Sequence, residues 1–250
     1  MTSGTRDGGA DPDVVFDVLL RRLAHATMDG RLGTADHAVL TRRVHRWGHD
    51  LIDGLRGYGD DPQRAAPLAA RVADHVVTAY ANRRPALREL DKARLLRPDW
   101  FAGPDQLGYV CYPDRFGGTL AGVAARVPYL RELGVTYLHL RSLLESRPGP
   151  DDRGPAVVDH RRVRPDLGTT GDLAALADTL HEHGVALALY LPLDHVAAGH
   201  VWARSAAGGD ERHAAYFLTV PDRAEPDHPV RWDLDRANPD VFCELLDVLL

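Results

Sequence analysis

The side chains able to do chemistry stand singly along this sequence of 250 residues and form no complete motif. His195 and His200 lie five positions apart and His181 and His183 lie two apart, but neither pair has a third ligand at a zinc-site spacing. There is no G-x-S-x-G elbow, no Walker-type loop and no G-x-G-x-x-G after a strand. The 36 carboxylates are too many to single out a pair. The residues themselves therefore predict no metal, no cofactor and no catalytic triad.

Composition narrows the class of protein further. Hydrophobic residues make up 44% and charged residues 26%, as in soluble globular domains. A net charge of -6 argues against a nucleic-acid binder. Two cysteines cannot form a disulfide framework, which favours a reducing compartment. No signal peptide and no apolar run of roughly 20 residues is present. We therefore expect a cytoplasmic protein without membrane contact.

The elements that would position these side chains follow two patterns. Residues 1–12 are polar and predict a disordered N-terminus. Residues 13–97 repeat apolar side chains three or four positions apart, which predicts a helical domain. Its second helix would be capped by Asp36, its third would cover residues 63–80, and its fourth would begin at Pro85.

After residue 98 the pattern changes to strands alternating with helices. Residues 108–112, 135–140 and 185–191 predict three strands, with one helix capped near Thr119 and another between the second and third strands. This alternation predicts βαβ units and a parallel sheet, that is, an α/β fold. A loop of about 30 residues follows the second strand, and residues 192–236 are predicted as a second long loop. A last helix would begin at Asn238 and Pro239.

Several short segments in this half, from G-Y-V-C-Y-P-D-R-F at residues 108–116 to V-F at 241–242, resemble amylosucrase, a sucrose-splitting enzyme of the α-amylase family. The longest is G-Y-V-C-Y-P-D-R-F at residues 108–116, followed by L-G-V-T-Y-L-H-L at 133–140 and D-L-G-T at 166–169. P-D-W-F at residues 98–101 and the helical segment before it resemble the same enzyme. The remaining matches are P-Y-L at 128–130, Y-F at 216–217, P-D-R at 221–223, W-D-L at 232–234, N-P at 238–239 and V-F at 241–242.

The resemblance implies a helical N-terminal domain followed, over residues 98–250, by the first three β/α units of an incomplete TIM-type (β/α)8 barrel. Barrels of this kind place their site at the carboxyl ends of the strands. The family uses an Asp nucleophile, a Glu acid/base and a further Asp, which follow strands 4, 5 and 7. We therefore expect no catalytic residue within this chain.

The same resemblance assigns a sugar-binding role to two residues, Asp152 and His195. Asp152 matches the Asp of the family's D-G-G-Y segment, although Pro155 replaces the Tyr that stacks on the sugar. In the family's D-x-x-x-N-H motif only His195 is kept, since Tyr190 and Asp194 replace the Asp and the Asn. The loop between residues 223 and 232 is also shorter than in the family.

Three hypotheses about function follow from the resemblance. The chain could be an amylosucrase-like enzyme of sucrose and α-glucan metabolism that works when the missing half is supplied. It could be a pseudoenzyme without catalysis that binds a sugar or a protein. It could also be an interaction module in which the helical segment binds a partner and the sheet serves as scaffold. Three strands cannot close a barrel, so a sheet edge is left for self-association or a partner. We expect the isolated chain to be catalytically inactive.

Overall fold

The computed structural model describes residues 12–56, 62–147, 156–220 and 231–250. The contacts divide the chain into two compact units, one formed by Met1–Lys92 with Arg236–Leu250 and one by Ala93–Asp235. The predicted disordered segment, residues 1–12, lies outside the described residues apart from the first residue of a helix. No described helix is long and apolar enough to cross a membrane.

The first part of the chain forms the four helices that its periodicity predicts. They are α1 (Pro12–Met28), α2 (Thr34–Arg56), α3 (Pro62–Asn82) and α4 (Pro85–Leu96). The sequence predicts Asp36 as the cap of α2, and that prediction was wrong. The helix already begins at Thr34, so Asp36 lies in its first turn. The Asp36 carboxylate instead accepts a hydrogen bond from the Arg88 guanidinium at 2.7 Å, which joins the start of α2 to α4. The core of this unit consists of the apolar faces of α1, α2 and α3, including Val15, Leu19, Leu23, Leu40, Ile52, Leu68, Val72 and Val77.

The second unit alternates strands and helices. In chain order it contains β1 (Gly108–Cys111), α5 (Pro113–Phe116), α6 (Leu120–Ala124), α7 (Val127–Glu132), β2 (Tyr137–Leu140), β3 (Leu144–Arg147), β4 (Ala156–Val163), α8 (Thr170–Glu182), β5 (Ala186–Leu189), β6 (His195–Ala197), α9 (Val201–Ala207), α10 (Glu211–Ala214) and β7 (Arg231–Asp233). The three predicted strands are present as β1, β2 and β5. They form one parallel sheet in the order β1-β2-β5.

The two helix-to-strand connections in this unit repeat the same local design. Thr119 and Thr169 cap α6 and α8, each accepting a backbone N–H with its hydroxyl, and Thr169 forms a full capping box with Asp172. Gly134 (φ +79°) and Gly184 (φ +70°) end α7 and α8 in the left-handed conformation that glycine adopts easily. Each turn leads within three residues into the next strand, and the helical crossover before it allows that strand to pair in parallel with the preceding one.

Both long loops of the sequence prediction contain regular structure, so that prediction was wrong. The segment after β2 contains the antiparallel pair β3–β4. The segment after β5 contains β6, which pairs with β7, and the helices α9 and α10. These elements are only three to eight residues long, too short for their apolar periodicity to stand out in the sequence.

The last helix, α11 (Pro239–Leu249), begins as predicted, with Asn238 as N-cap accepting the N–H of Asp240 at 2.8 Å. The sequence places it in the barrel domain, whereas in the structure it belongs to the first unit and packs on α3. Cys243 is buried in the helical core, and Arg71 of α3 donates to the Asp240 carboxylate at 2.7 Å. The predicted domain boundary near residue 97 stays a prediction.

Candidate functional site

The carboxyl ends of the three parallel strands lie side by side. The last residues of β1, β2 and β5 pair in register, Cys111 with Leu140 and Leu140 with Leu189. The ladder continues one residue further, because Arg141 N–H donates to the Cys111 carbonyl at 3.0 Å and Tyr190 N–H donates to the Leu140 carbonyl at 3.1 Å. The next row of the sheet therefore consists of Tyr112, Arg141 and Tyr190, which we call the edge row.

An arginine lies between two tyrosines in the edge row. The guanidinium carbon of Arg141 is 5.2 Å from the Tyr190 ring centroid and 5.9 Å from that of Tyr112, within cation–π range. The Arg115 guanidinium also approaches the Tyr112 ring, at 5.3 Å. Tyr112 and Tyr190 are 38% and 41% exposed, so aromatic surface remains open. Open rings beside N–H donors can contact a sugar through its C–H faces and its hydroxyls.

The loop that follows Arg141 is held in a strained conformation. Ser142 has φ +55°, which among the described residues makes it the one non-glycine residue with positive φ. Its carbonyl accepts a hydrogen bond from Arg164 at 3.2 Å, and Arg164 forms a two-pronged ion pair with Asp166 at 3.1 and 2.6 Å. The hydrogen bonds that Arg164 donates to the Asp166 carboxylate lower the pKa of Asp166 and raise the pKa of Arg164. This network fixes the backbone next to the edge row.

The two residues predicted to bind sugar are not brought together by the described structure. His195 lies on β6, outside the parallel sheet, and is 4% exposed. Its Nδ1 is 3.1 Å from the Asp194 carboxylate, and its buried Nε2 has no hydrogen-bond partner among the described residues. Asp152 lies outside the described residues. The assignment of both residues to a sugar site therefore stays a prediction.

A buried group of aromatic rings in the α/β unit was not predicted from the sequence. The ring centroids of His160 on β4 and His200 before α9 are 5.3 Å apart, and Trp202 lies 4.5 Å from His200. Burial lowers the pKa of His160, and burial with the nearby His160 and Arg204 lowers that of His200 to about 3. Both rings are therefore neutral near pH 7. No spacing in the sequence signals this contact, since β4 was not predicted.

The described residues offer no site for a resident metal. They contain no group of three or more His, Cys, Asp or Glu side chains that could hold an ion. Cys111 and Cys243 are both buried free thiols. Burial raises the pKa of Cys111 to about 11, so this thiol is a packing residue and not a nucleophile.

Comparison with known proteins decides the family. The catalytic domain of alpha amylase matches residues 83–239, which is well over half of the chain. The chain belongs to the α-amylase family. The resemblance read from the sequence is thus confirmed at the family level, and the three-stranded sheet with its helices is part of the α-amylase catalytic-domain fold.

Curated relatives share about a quarter to a third of the aligned residues. The chain is 27% identical over 119 residues to the 4-alpha-glucanotransferase of Thermotoga neapolitana, covering 48% of this chain and 26% of the relative. It is 29% identical over 135 residues to the probable oligo-1,6-glucosidase 2 of Bacillus subtilis, covering 50% and 23%. It is 32% identical over 111 residues to the alpha-amylase SusG of Bacteroides thetaiotaomicron, covering 44% and 14%.

Solved structures agree on the fold. A family GH13_31 enzyme matches with a TM-score of 0.53 and 24% identity over 60% of this chain and 34% of its own. The trehalose-6-phosphate hydrolase of Bacillus licheniformis matches with a TM-score of 0.52 and 18% identity over 60% and 33%. The chain therefore spans about a third of these structures and about a quarter or less of the curated relatives above.

Proposed function

We propose that this chain is an amylosucrase-like protein of sucrose or α-glucan metabolism that binds sugar but does not cleave it. Strands β1, β2 and β5 would be the first three strands of the family's (β/α)8 barrel, and the edge row would stand at the mouth of its site. Family membership supports the substrate class, because relatives named glucanotransferase, oligo-1,6-glucosidase and alpha-amylase act on α-linked glucose.

The edge row carries the sugar-binding part of the proposal. Glycoside cleavage in this family needs carboxylates beside the scissile bond. Tyr112, Arg141 and Tyr190 directly follow the three strands, and none of them is acidic. Tyr190 stands where the resemblance to the family's D-x-x-x-N-H motif implies an Asp. The row offers aromatic surface and N–H donors that can hold a sugar, and it lacks the carboxylates with which this family protonates and attacks the glycosidic bond.

Incubation with sucrose and calorimetric titration with maltotriose test the proposal on the full chain. We expect no glucose or fructose above the buffer blank and weak, millimolar binding of maltotriose. Tyr190→Ala should weaken that binding at least about fivefold, as the loss of one aromatic contact of about 1 kcal/mol implies. The matched control is Tyr129→Ala, which removes an exposed tyrosine on α7 that is not part of the edge row.

Each result decides a separate part of the proposal. Sugar release would overturn the inactive assignment and would require a carboxylate pair within these 250 residues. No maltotriose binding would overturn the sugar-binding role and favour the interaction module. Equal loss in both variants would mean that the edge row is not the binding surface.

A further inference from the structure

A cavity lies beside β4 in the α/β unit, and none of the edge-row residues lines it. It has a volume of about 460 Å³ and lies between β4 and the start of α9. Three arginines line it, Arg161 and Arg162 from β4 and Arg204 from α9, together with the carboxylates of Glu145 and Asp159. This volume falls in the range of small-molecule sites.

The balance of charge in this cavity favours an anion. Three guanidinium groups face two carboxylates. Glu145 is engaged by Arg162, with 3.3 Å between its Oε2 and Nη1, and Asp159 accepts the backbone N–H of Arg161 at 2.8 Å. Arg204 has no ion pair within the described part of the chain and is exposed. The surplus positive charge therefore centres on Arg204.

The buried imidazole rings of His160 and His200, which also line the cavity, supply neutral polar groups. His200 Nδ1 accepts the N–H of Trp202 at 3.2 Å, so the neutral ring carries its proton on Nε2 as a donor. His160 Nε2 donates to the Pro192 carbonyl at 3.0 Å. Its Nδ1 is then a buried acceptor without a donor among the described residues, on a ring that is 6% exposed and lines the same cavity.

We propose that this cavity is a binding site for a phosphate group, held by Arg204 and Arg161 with His200 as a neutral donor. Guanidinium groups bind phosphate through paired, charge-assisted hydrogen bonds. The cavity is larger than a bare phosphate ion requires, and the carboxylates of Glu145 and Asp159 in its lining can accept hydrogen bonds from hydroxyls. A phosphorylated monosaccharide is therefore the better complement, and free phosphate is the second source of the same chemistry.

The site is tested by calorimetric titration of the full chain at low salt with glucose 6-phosphate, inorganic phosphate and glucose. We expect both phosphate compounds to bind and glucose to bind at least about tenfold more weakly. Arg204→Gln should weaken phosphate binding roughly tenfold, the loss of one charge-assisted contact. Arg131→Gln is the matched control, because it removes the same charge from an exposed position on α7 of the same unit. Circular dichroism would establish that both variants are folded.

The outcomes separate specific recognition from general attraction of anions. Tighter binding of glucose 6-phosphate than of phosphate assigns the site to a sugar phosphate, and equal binding assigns it to the phosphate group alone; both support the proposal. Absence of binding by either phosphate compound overturns it. Equal weakening in Arg204→Gln and Arg131→Gln also overturns it, since the effect would then follow net charge. The binding of inorganic phosphate, which carries no sugar, does not depend on sugar binding at the edge row.

Discussion

The two faces of the three-stranded sheet differ sharply in their surroundings. One face carries Cys111, Leu138 and Leu140, which are buried against α6, α7 and α8 in one continuous apolar core. The opposite face carries Val110, which is 57% exposed, in the row that it shares with His139 and Ala188. Alternate residues of a strand point to opposite faces, so neighbouring positions in one strand have opposite roles.

Residues on the helix-covered face stabilise the fold, whereas residues on the open face are accessible to a ligand. The edge row continues the open face, since Tyr112, Arg141 and Tyr190 follow Val110, His139 and Ala188 by two positions each. Substitutions on the helix-covered face should therefore change stability, and substitutions on the open face should change binding. Two experiments test this distinction directly, and a third tests the buried ring of His200 outside the sheet.

The largest effect is expected from truncation of the helix-covered face. Leu138→Ala should lower the free energy of unfolding by about 2–5 kcal/mol, because it opens a cavity in a fully buried core. Val110→Ala on the open face should cost less than about 1 kcal/mol. Urea denaturation measures both. Similar losses in the free energy of unfolding would show that the open face is covered in solution, by self-association or by a partner. Sedimentation would detect self-association.

The reactivity of thiols at the adjacent positions 110 and 111 compares the open face with the helix-covered face directly. Cys111 is buried, with its pKa raised to about 11 by burial, and Cys243 is buried with a raised pKa as well. Neither should react with Ellman's reagent at pH 8 until the protein unfolds. Val110→Cys should add one thiol that reacts at least about 100-fold faster. Rapid reaction of Cys111 in the unmodified protein would contradict burial of the helix-covered face.

Acid should lower the stability of the α/β unit because it protonates the buried ring of His200, which lies outside the apolar core of the sheet. His200 has a pKa of about 3 when folded, against about 6.5 in an unfolded chain. Between these values the unfolded state binds more protons, so stability is complete above pH 6.5 and falls as the pH decreases toward 3. The slope for one histidine is at most about 1.4 kcal/mol per pH unit.

Urea unfolding at pH 7 and pH 5 measures this loss, and His200→Asn is the matched variant. Asn keeps a side-chain acceptor for the cap of α9 but does not titrate in this range. We expect the variant to lose less stability than the unmodified chain between the two pH values. An equal loss in both proteins would assign the acid sensitivity to other groups, such as His160, whose pKa burial also lowers.

Much of the architecture is determined by short-range patterns in the sequence. The four N-terminal helices follow from apolar spacing, and Thr119, Thr169 and Asn238 act as the caps that start three later helices. The three strands of the parallel sheet were predicted because continuous apolar runs lie between helices of suitable length. The family resemblance was also readable, since its motifs occur in one consistent order along the chain.

Contacts between distant segments were decided only by the tertiary structure. Tyr112, Arg141 and Tyr190 end three separate strands and meet because parallel pairing aligns those ends. His160 and His200 meet because β4 and the start of α9 pack together, although neither element was predicted. The last helix packs on α3 because its apolar face completes the helical core. Local sequence sets which elements form, while the burial of apolar faces over long separations sets which of their side chains become neighbours.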